Sequence, residues 1–381
     1  MLEPFEGYVV SREHAAAVIT APYDALTPRE RRQRAAHPDS FLAVLPPSDE
    51  DAVLERLAEG RKRLEGLIDA GRFTRLAGPT IGILSLSTGR HELTGVIGDL
   101  PTTAFDEDDR VRPHEQTRAE RVDTLARYLD VVGVASSPVC VSHLPSDEVA
   151  AALTRLRAAE PAVDHSDTVG RVRLWLVDDP DDQACLIGAL EHTEDWLLAD
   201  GHHRAEAARG TGRVLTVLVA DDQLQIRPFH RRVRREEPER TGALLDDFGL
   251  DVREIAGPAP PLQAGEVTVG GGGRWWRVGL PAGDDTPLGR LDVTRAGKHV
   301  LGPLLGSAGG VEAATLADRR LQAVAPTTPL ASLATDRDVG VALFPPTMAQ
   351  VREVVAAGAT LPAKTTYVVP KQRAGLLVVP R

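Results

Sequence analysis

The chain has 381 residues, of which 42% are hydrophobic and 26% charged, and a formal net charge of -11. That length supports a substantial core and two or three domains, while the acidic balance argues against broad nucleic-acid binding, which needs a basic surface. Two cysteines cannot build a disulfide framework, no clustered Cys/His spacing marks structural zinc, and no apolar run approaches the roughly 18 residues of a membrane span, so a cytoplasmic protein with neither nucleic acid nor membrane as partner is expected.

In chain order, residues 12–20 predict a short helix that stops at APYDALTP, where Pro22 and Pro28 interrupt. Thr27, ahead of Pro28 and Glu30, is the expected N-cap of a helix through about Ala36. Ser40–Leu45 (SFLAVL) reads as a buried strand. Ser48 reads as the cap of a long amphipathic helix in which Val53, Leu54, Leu57, Leu64, Leu67 and Ile68 recur at helical spacing. TIGILSLS and HELTGVIGD, joined by TGR, predict a hairpin.

The run RPHEQTRAERVDTLARYL follows from Arg112. Pro113 marks an entry, and Val122, Leu125, Ala126 and Leu129 give the next helix one apolar face, with His114, Glu115, Thr117 and Arg118 at or before its N-terminus. The zinc-protease pattern HExxH is not met, because Arg118 stands where the second histidine belongs. An ordinary charged helix start, with Glu115 complementing the dipole, is the plainer reading of these residues alone.

From Val131 to Val219 strand and helix patterns alternate, and they lead to WLLADGHHRAEAARG at Trp196–Gly210. Leu197, Leu198 and Ala199 run into Asp200 and Gly201, and a helical pattern begins at His203: a strand, a tight turn and a helix start. Gly201 permits a backbone conformation closed to other residues, the following helix start favours an anion, and Arg204 adds a forked donor suited to phosphate. Asp200 is a candidate Mg²⁺ ligand, and His202 and His203 are candidate phosphate donors. A bland corner with surface histidines is the alternative, but so much chemistry within five positions favours a site.

VLTVLVA is the next buried strand, and LQIRPFHRRV leads away from it, with His230 beside Arg231. EEPERTGA marks a charged boundary. EVTVGGGGRWWRV predicts a strand, a glycine turn and a strand, with Trp275 and Trp276 on opposite faces of an edge strand; GGGG lacks the lysine and helix of a nucleotide loop. Lys298–Leu305 is helix-like, and GVALFPPTMAQVREVVAAG predicts a strand and then a helix from about Thr347.

Lysine is scarce: Lys62, Lys298, Lys364 and Lys371 stand among 44 lysines and arginines together. A position needing only positive charge would ordinarily carry arginine in such a chain, so the surviving lysines draw attention. Two of them fall in LPAKTTYVVPK, where Lys364, Thr365, Thr366 and Tyr367 form a polar cluster and Lys371 follows Pro370. Snorkelling lysines on a C-terminal strand are one reading and a ligand contact the other, which lysine scarcity favours. No GxSxG elbow and no histidine close in sequence to Cys140 or Cys185 marks a nucleophile.

In this order, PYDALTPRE with HPDSFLAVL, RPHEQTRAERVDTLARYL, LLADGHHRAEAA, and FPPTMAQV with LPAKTTYVVPK resemble the bacterial and archaeal domain-of-unknown-function family 1015 over almost the whole chain. The DGHHR block is similar to that of the free-serine kinases, members of the ParB and sulfiredoxin superfamily that phosphorylate the hydroxyl of free L-serine using ADP or ATP with Mg²⁺. The resemblance implies an α/β (α+β) fold: a ParB/sulfiredoxin-like nucleotide-binding core at 105–235, with α/β regions at 1–104 and 236–381 packed around it. It further implies that Asp200, Gly201, His202, His203 and Arg204 form the nucleotide-phosphate site, that Asp200 holds Mg²⁺, and that Glu115 is the general base, with Glu115, Asp200 and His202 as the catalytic set.

His114 and Arg118 are then expected on the phosphate, and Tyr23, Asp24, Thr117, His230, Lys364, Thr365, Thr366, Tyr367 and Lys371 around the substrate. If the PYD and TTY blocks share this cleft, Lys364 or Tyr367 should lie within roughly 15 Å of Asp200. The sequence also departs from its relatives. His202 stands where sulfiredoxin needs cysteine, which removes the sulfinic-acid reductase reading, and no helix-turn-helix of the ParB kind is evident. Thr365 replaces a common serine, Val368 lies where aromatic residues are usual, and Ala205 replaces the aromatic after the DGHHR arginine. The expected activity is phosphoryl transfer from ATP or ADP to the hydroxyl of serine or a serine-like metabolite. The alternatives are a non-catalytic nucleotide-binding regulator and a phosphoserine-type phosphatase.

Overall fold

The apolar runs that turns separate in the sequence become strands of an eight-stranded mixed sheet: β1 (Ile81–Thr88), β2 (His91–Pro101), β3 (Val111–Pro113), β4 (Val139–His143), β5 (Val163–Asp167), β6 (Gly170–Val177), β7 (Trp196–Asp200) and β8 (Arg213–Ala220). These strands come from a computed structural model that describes residues 1–21, 26–46, 53–89, 91–106, 110–306 and 318–381. The fold is mixed α/β, and the chain divides into two units. The first comprises Met1–Pro113, Thr117–Leu224 and Pro370–Arg381; the second comprises His114–Gln116 and Gln225–Val369.

In the first unit the sheet order is β3-β7-β4-β8-β2-β1-β6-β5. The β1–β2 hairpin pairs Ile83 with Val96 and Thr88 with His91, as the alternation around TGR predicts. β7 runs parallel to β3 and antiparallel to β4, and β8 runs parallel to β4. Leu197 and Leu198 of β7 are both buried, so the strand is covered on each face; that is why its sequence is a continuous apolar run rather than an alternation. Helices Asp147–Leu156 and Pro180–Glu191 bury Val149, Leu153, Leu186 and Leu190 with Ile81, Ile83, Val139 and Val141. Each begins at a capping residue, Ser146 or Asp179, whose side chain accepts hydrogen bonds from first-turn amides.

The helix read from RPHEQTR spans Ala119–Val132 and ends where Gly133 takes φ 77°, the left-handed stop that glycine supplies. Thr27 and Glu30 complete a reciprocal capping box at the start of Pro28–Ala35. A second sheet, of four strands, joins Tyr8–Val10 to Phe73–Arg75 and to the C-terminal strand Leu377–Pro380, which also pairs with Val134–Ala135.

The second unit holds a six-stranded sheet, built from His230–Arg234, Asp251–Ile255, Glu266–Gly271, Arg274–Gly279, Leu321–Val324 and Asp338–Ala342. Gln225–Pro228 pairs separately with Thr366–Val369. Helix Met348–Ala356 starts at Thr347 as expected, with Gln350 closing its capping box. No described helix is long and apolar enough to cross a membrane.

Two expectations are corrected. Ser40–Leu45 is not a strand: Phe41–Ala43 forms a 3₁₀ turn, with the Ser40 hydroxyl accepting from the Leu42 amide. A five-residue apolar run is equally compatible with a buried helical turn, and the hydroxyl cap decides for the turn. Trp275 and Trp276 do not lie on an edge strand, because Arg274–Gly279 sits between Glu266–Gly271 and Asp251–Ile255. Its second partner, DVREI, is polar enough to pass for a loop in sequence. The Lys298–Leu305 stretch is helical through a π turn at Gly297–Leu301 and then Gly302–Leu304. Ser48, Tyr23 and Asp24 lie outside the described residues.

Candidate functional site

The proposed phosphate turn lies wholly in the first unit. The β7–β4 register shifts between Leu198 and Asp200, which sets Asp200 opposite Cys140 at the end of the strand. Gly201 then takes φ 99°, where a Cβ would be strained and would stand 2.8 Å from Arg204 Nη2 and 3.0 Å from Val139 Cγ1. The glycine therefore serves two ends: it turns the chain and leaves room for the guanidinium. Helix His202–Ala207 follows at once, with the Arg204 and Ala205 amides donating to the Gly201 carbonyl at 2.8 and 2.9 Å.

The turn folds Arg204 back onto Asp200, whose Oδ2 accepts from Arg204 Nη2 at 2.9 Å. From the far end of the sequence Lys371 donates through Nζ to Asp200 Oδ1 at 2.5 Å. All three side chains are partly buried. Burial alone would raise the Asp200 pKa; the charges of Lys371 and Arg204, and the hydrogen bond from Lys371, override it and hold the carboxyl well below its ordinary range. Asp200 is therefore ionised at any physiological pH.

The histidines divide their tasks. His203 Nε2 accepts from the backbone amide of Arg118 at 3.0 Å, which ties the start of helix Ala119–Val132 to the turn and places the remaining ring proton on Nδ1. His202 is buried and contributes a favourable charge interaction at Asp200. Cys140 is buried beneath the cluster, and burial, with the Asp200 charge, pushes its thiol up to about 12. It is inert as a nucleophile. Iodoacetamide at neutral pH should therefore label exposed Cys185 and spare Cys140 in the folded protein, a difference that intact-mass and peptide mass spectrometry will read.

As arranged, Asp200 does not fit a divalent-metal ligand. Each carboxylate oxygen already faces a cation, and a metal there would meet two positive charges before any anion.

The other chemistry-bearing residues gather in the second unit. His114 is buried, with Nε2 2.9 Å from Thr366 Oγ1, and its carbonyl accepts from the Leu361 amide at 2.9 Å. The PHE segment and the TTY block, some 250 residues apart in sequence, are thus stitched together. Arg231, fully buried, donates to the carbonyls of Lys364 at 3.1 Å and Ala363 at 3.2 Å. Burial pushes its guanidinium down to about 10, opposed by the Glu115 carboxylate. Lys364 is held at φ 56°, unusual for a residue with a Cβ, and this clamp on its carbonyl is the surrounding structure that sustains such a conformation. Its ammonium lies over the Phe229 ring, 5.4 Å from the centroid, and Phe229 meets Tyr367 edge-on.

Thr365 is buried and donates to the Pro362 carbonyl, while Thr117 and Arg118 are exposed and belong to the first unit. His230 accepts from the Leu343 amide through Nδ1, and burial, with Arg231, brings its pKa down to about 4. A neutral buried histidine bound to backbone has an adequate structural role. Sequence reasoning missed Arg231, because arginines in HRRVRR read as a solvated run; the apolar strand pattern around it was the signal that one must point inward.

The fold and these clusters define an α/β protein with a basic, carboxylate-braced turn in one unit and a His-Glu-Arg cluster in the other. The chain belongs to the family described as "Protein of unknown function (DUF1015)", whose model matches residues 2–294. Among solved structures it is similar to SbnI with C-terminal truncation from Staphylococcus aureus, at 13% identity, covering 74% of this chain and 87% of that one, with a TM-score of 0.40. It is likewise similar to a conserved hypothetical protein from Pyrococcus furiosus, at 14% identity, 72% and 93% coverage and a TM-score of 0.38. A free serine kinase mutant in complex with ADP gives 13% identity, 74% and 90% coverage and a TM-score of 0.37. No curated protein matches the sequence.

Proposed function

We propose that the protein is a small-molecule kinase that transfers a phosphoryl group from ATP or ADP to the hydroxyl of a free amino acid, serine or a serine-like metabolite. The observation that carries the reading is the turn itself: Arg204 and Lys371, both braced by Asp200 beside a left-handed Gly201, form a cationic pair suited to a polyphosphate. The resemblance of the DGHHR block to free-serine kinases supplies the reaction class.

Phosphoryl transfer spreads negative charge over the transferred oxygens and asks chiefly for positioning and charge neutralisation. In this reading the substrate hydroxyl oxygen attacks the terminal phosphorus, the bond to the bridging oxygen breaks, and the nucleotide leaves with one phosphate fewer. The hydroxyl proton passes to the Glu115 carboxylate. Arg204 and Lys371 neutralise the phosphates, with His202, His203 and Arg118 of the same unit as further phosphate contacts. Lys364, Thr365, Thr366 and Tyr367, all of the second unit, are assigned to the acceptor side. Mg²⁺ is assigned no ligand on the protein.

Incubation of the full chain with ATP or ADP, Mg²⁺ and a panel of L-serine, D-serine, threonine and homoserine should yield one phosphorylated amino acid by mass spectrometry. A panel with no phosphorylated product, together with tight nucleotide binding, would replace the kinase by a nucleotide-binding regulator.

A further inference from the structure

We infer that Asp200 is the brace of a two-cation clamp rather than a metal ligand, and that Arg204 and Lys371 grip a phosphate-bearing anion directly. The inference rests on the reading of the ADGHHR turn as a phosphate site. It changes which atoms do the binding.

The first ground is occupancy. Each oxygen already faces a cation, Oδ1 the Lys371 ammonium and Oδ2 the Arg204 guanidinium, so a metal on a remaining lone pair would sit beside a positive charge. The second is charge: the Lys371 ammonium and the Arg204 guanidinium both bear on this one carboxylate, and two cations side by side suit a di- or triphosphate and disfavour a divalent ion. The third is space. Gly201 has no side chain where a Cβ would stand 2.8 Å from Arg204 Nη2, so the turn keeps the guanidinium's position open.

The fourth ground is how Lys371 is carried. Two residues on, Arg373 makes a buried two-pronged pair with Asp167 at 2.8 and 3.0 Å, and Ala374 bridges to Thr20. The backbone of this segment is therefore held without the Asp200 contact. Asp200 is a positioning residue: it orients two long cationic side chains toward the same point, lowering what a ligand must order. In a chain so rich in arginine, a lysine here supplies a compact point charge on a flexible stem, which can turn from carboxylate to phosphate.

Calorimetry on the full chain with inorganic pyrophosphate and with ADP, both in EDTA, tests the clamp. Both should bind without metal, and Lys371→Met and Arg204→Met should each weaken binding by about tenfold or more. Lys371→Gln, which keeps a hydrogen-bond donor toward Asp200, serves if the methionine variant does not fold, and should weaken binding similarly. Electron paramagnetic resonance of Mn²⁺ alone should detect no site that Asp200→Asn removes. Absence of metal-free binding, variants that bind as wild type does, or a single Mn²⁺ site lost in Asp200→Asn would each overturn the proposal. Pyrophosphate bound without ADP leaves the clamp standing and removes the nucleotide reading. ADP bound without any phosphorylated product removes only the kinase.

Discussion

Glu115→Gln should lower the rate of phosphorylated amino-acid formation by about 100- to 10,000-fold, the range for loss of a positioned general base, while ADP affinity changes little. The substitution keeps the size of the side chain and removes only its capacity to take a proton. Within the second unit, Glu115 lies in the field of Arg231, a guanidinium that is fully buried and fastened to the carbonyls of Ala363 and Lys364. An arginine so fixed cannot swing away, so its charge acts on Glu115 from a constant place. His114, the preceding residue, is anchored through Thr366 and Leu361, which fixes the backbone that presents the glutamate. Product formation followed by mass spectrometry, paired with ADP calorimetry, separates the two effects. A variant that turns over normally removes Glu115 from the mechanism; one that loses ADP binding in parallel assigns it to binding instead.

Arg381→Met is expected to destabilise the protein by about 3–5 kcal/mol at neutral pH, because it strands a buried carboxylate. Asp99 is 2% exposed and accepts from Arg381 at 2.5 and 3.2 Å, with the arginine side chain also buried. Burial raises the Asp99 pKa even with Arg381 present to lower it, so in the variant the carboxyl rises further. A carboxyl whose folded pKa exceeds its unfolded value contributes stability that is present below the unfolded pKa and is lost as pH climbs through the folded one. The defect should therefore be largest at pH 7 and shrink toward about pH 4, as urea melts at the two pH values will show. The double variant Asp99→Leu/Arg381→Met, which removes both charges, should recover most of the loss. A defect that is equal at both pH values would mean that Arg381 acts by packing alone.

Asp167, paired with Arg373 of the same C-terminal segment as Arg381, provides the opposite case. Burial would raise its pKa, but hydrogen bonds and charge from Arg373, with the amides of Val169 and Gly170, bring it below the ordinary value. Its contribution is present above the unfolded pKa and is lost as pH falls through the folded one. Two arginine–aspartate pairs, their arginines eight residues apart on one segment, thus respond to acid with opposite sign, because Asp99 is the more deeply buried carboxylate and Asp167 also receives backbone amides.

Local chemistry was legible from the sequence alone. Thr27-Pro28-Glu30 and Thr347-Gln350 specify helix starts through short-range hydrogen bonds, Gly133 stops a helix through its backbone freedom, and the Ile81–Thr88 and His91–Pro101 runs specify a hairpin through alternation. The ADGHHR turn is of the same kind: a strand buried on both faces, a residue needing positive φ, and a helix start, all within seven positions. Where the sequence reading failed, long-range pairing had the deciding voice, as at Trp275 and Trp276, whose strand gained a second neighbour from a polar segment.

The tertiary structure alone decided which charges meet. Nothing in the order of residues indicates that Lys371 is the cation on Asp200, 171 residues away, while Lys364, seven residues before it, belongs with His114 and Glu115 in the other unit. Nor does composition reveal that Arg231, in a run of arginines, is the one turned inward. Hydrogen bonds across a few residues follow from backbone geometry, whereas ion pairs across hundreds depend on where every intervening strand has been laid; the same ADGHHR therefore reads as a metal site in sequence and as a carboxylate between two cations in the folded chain.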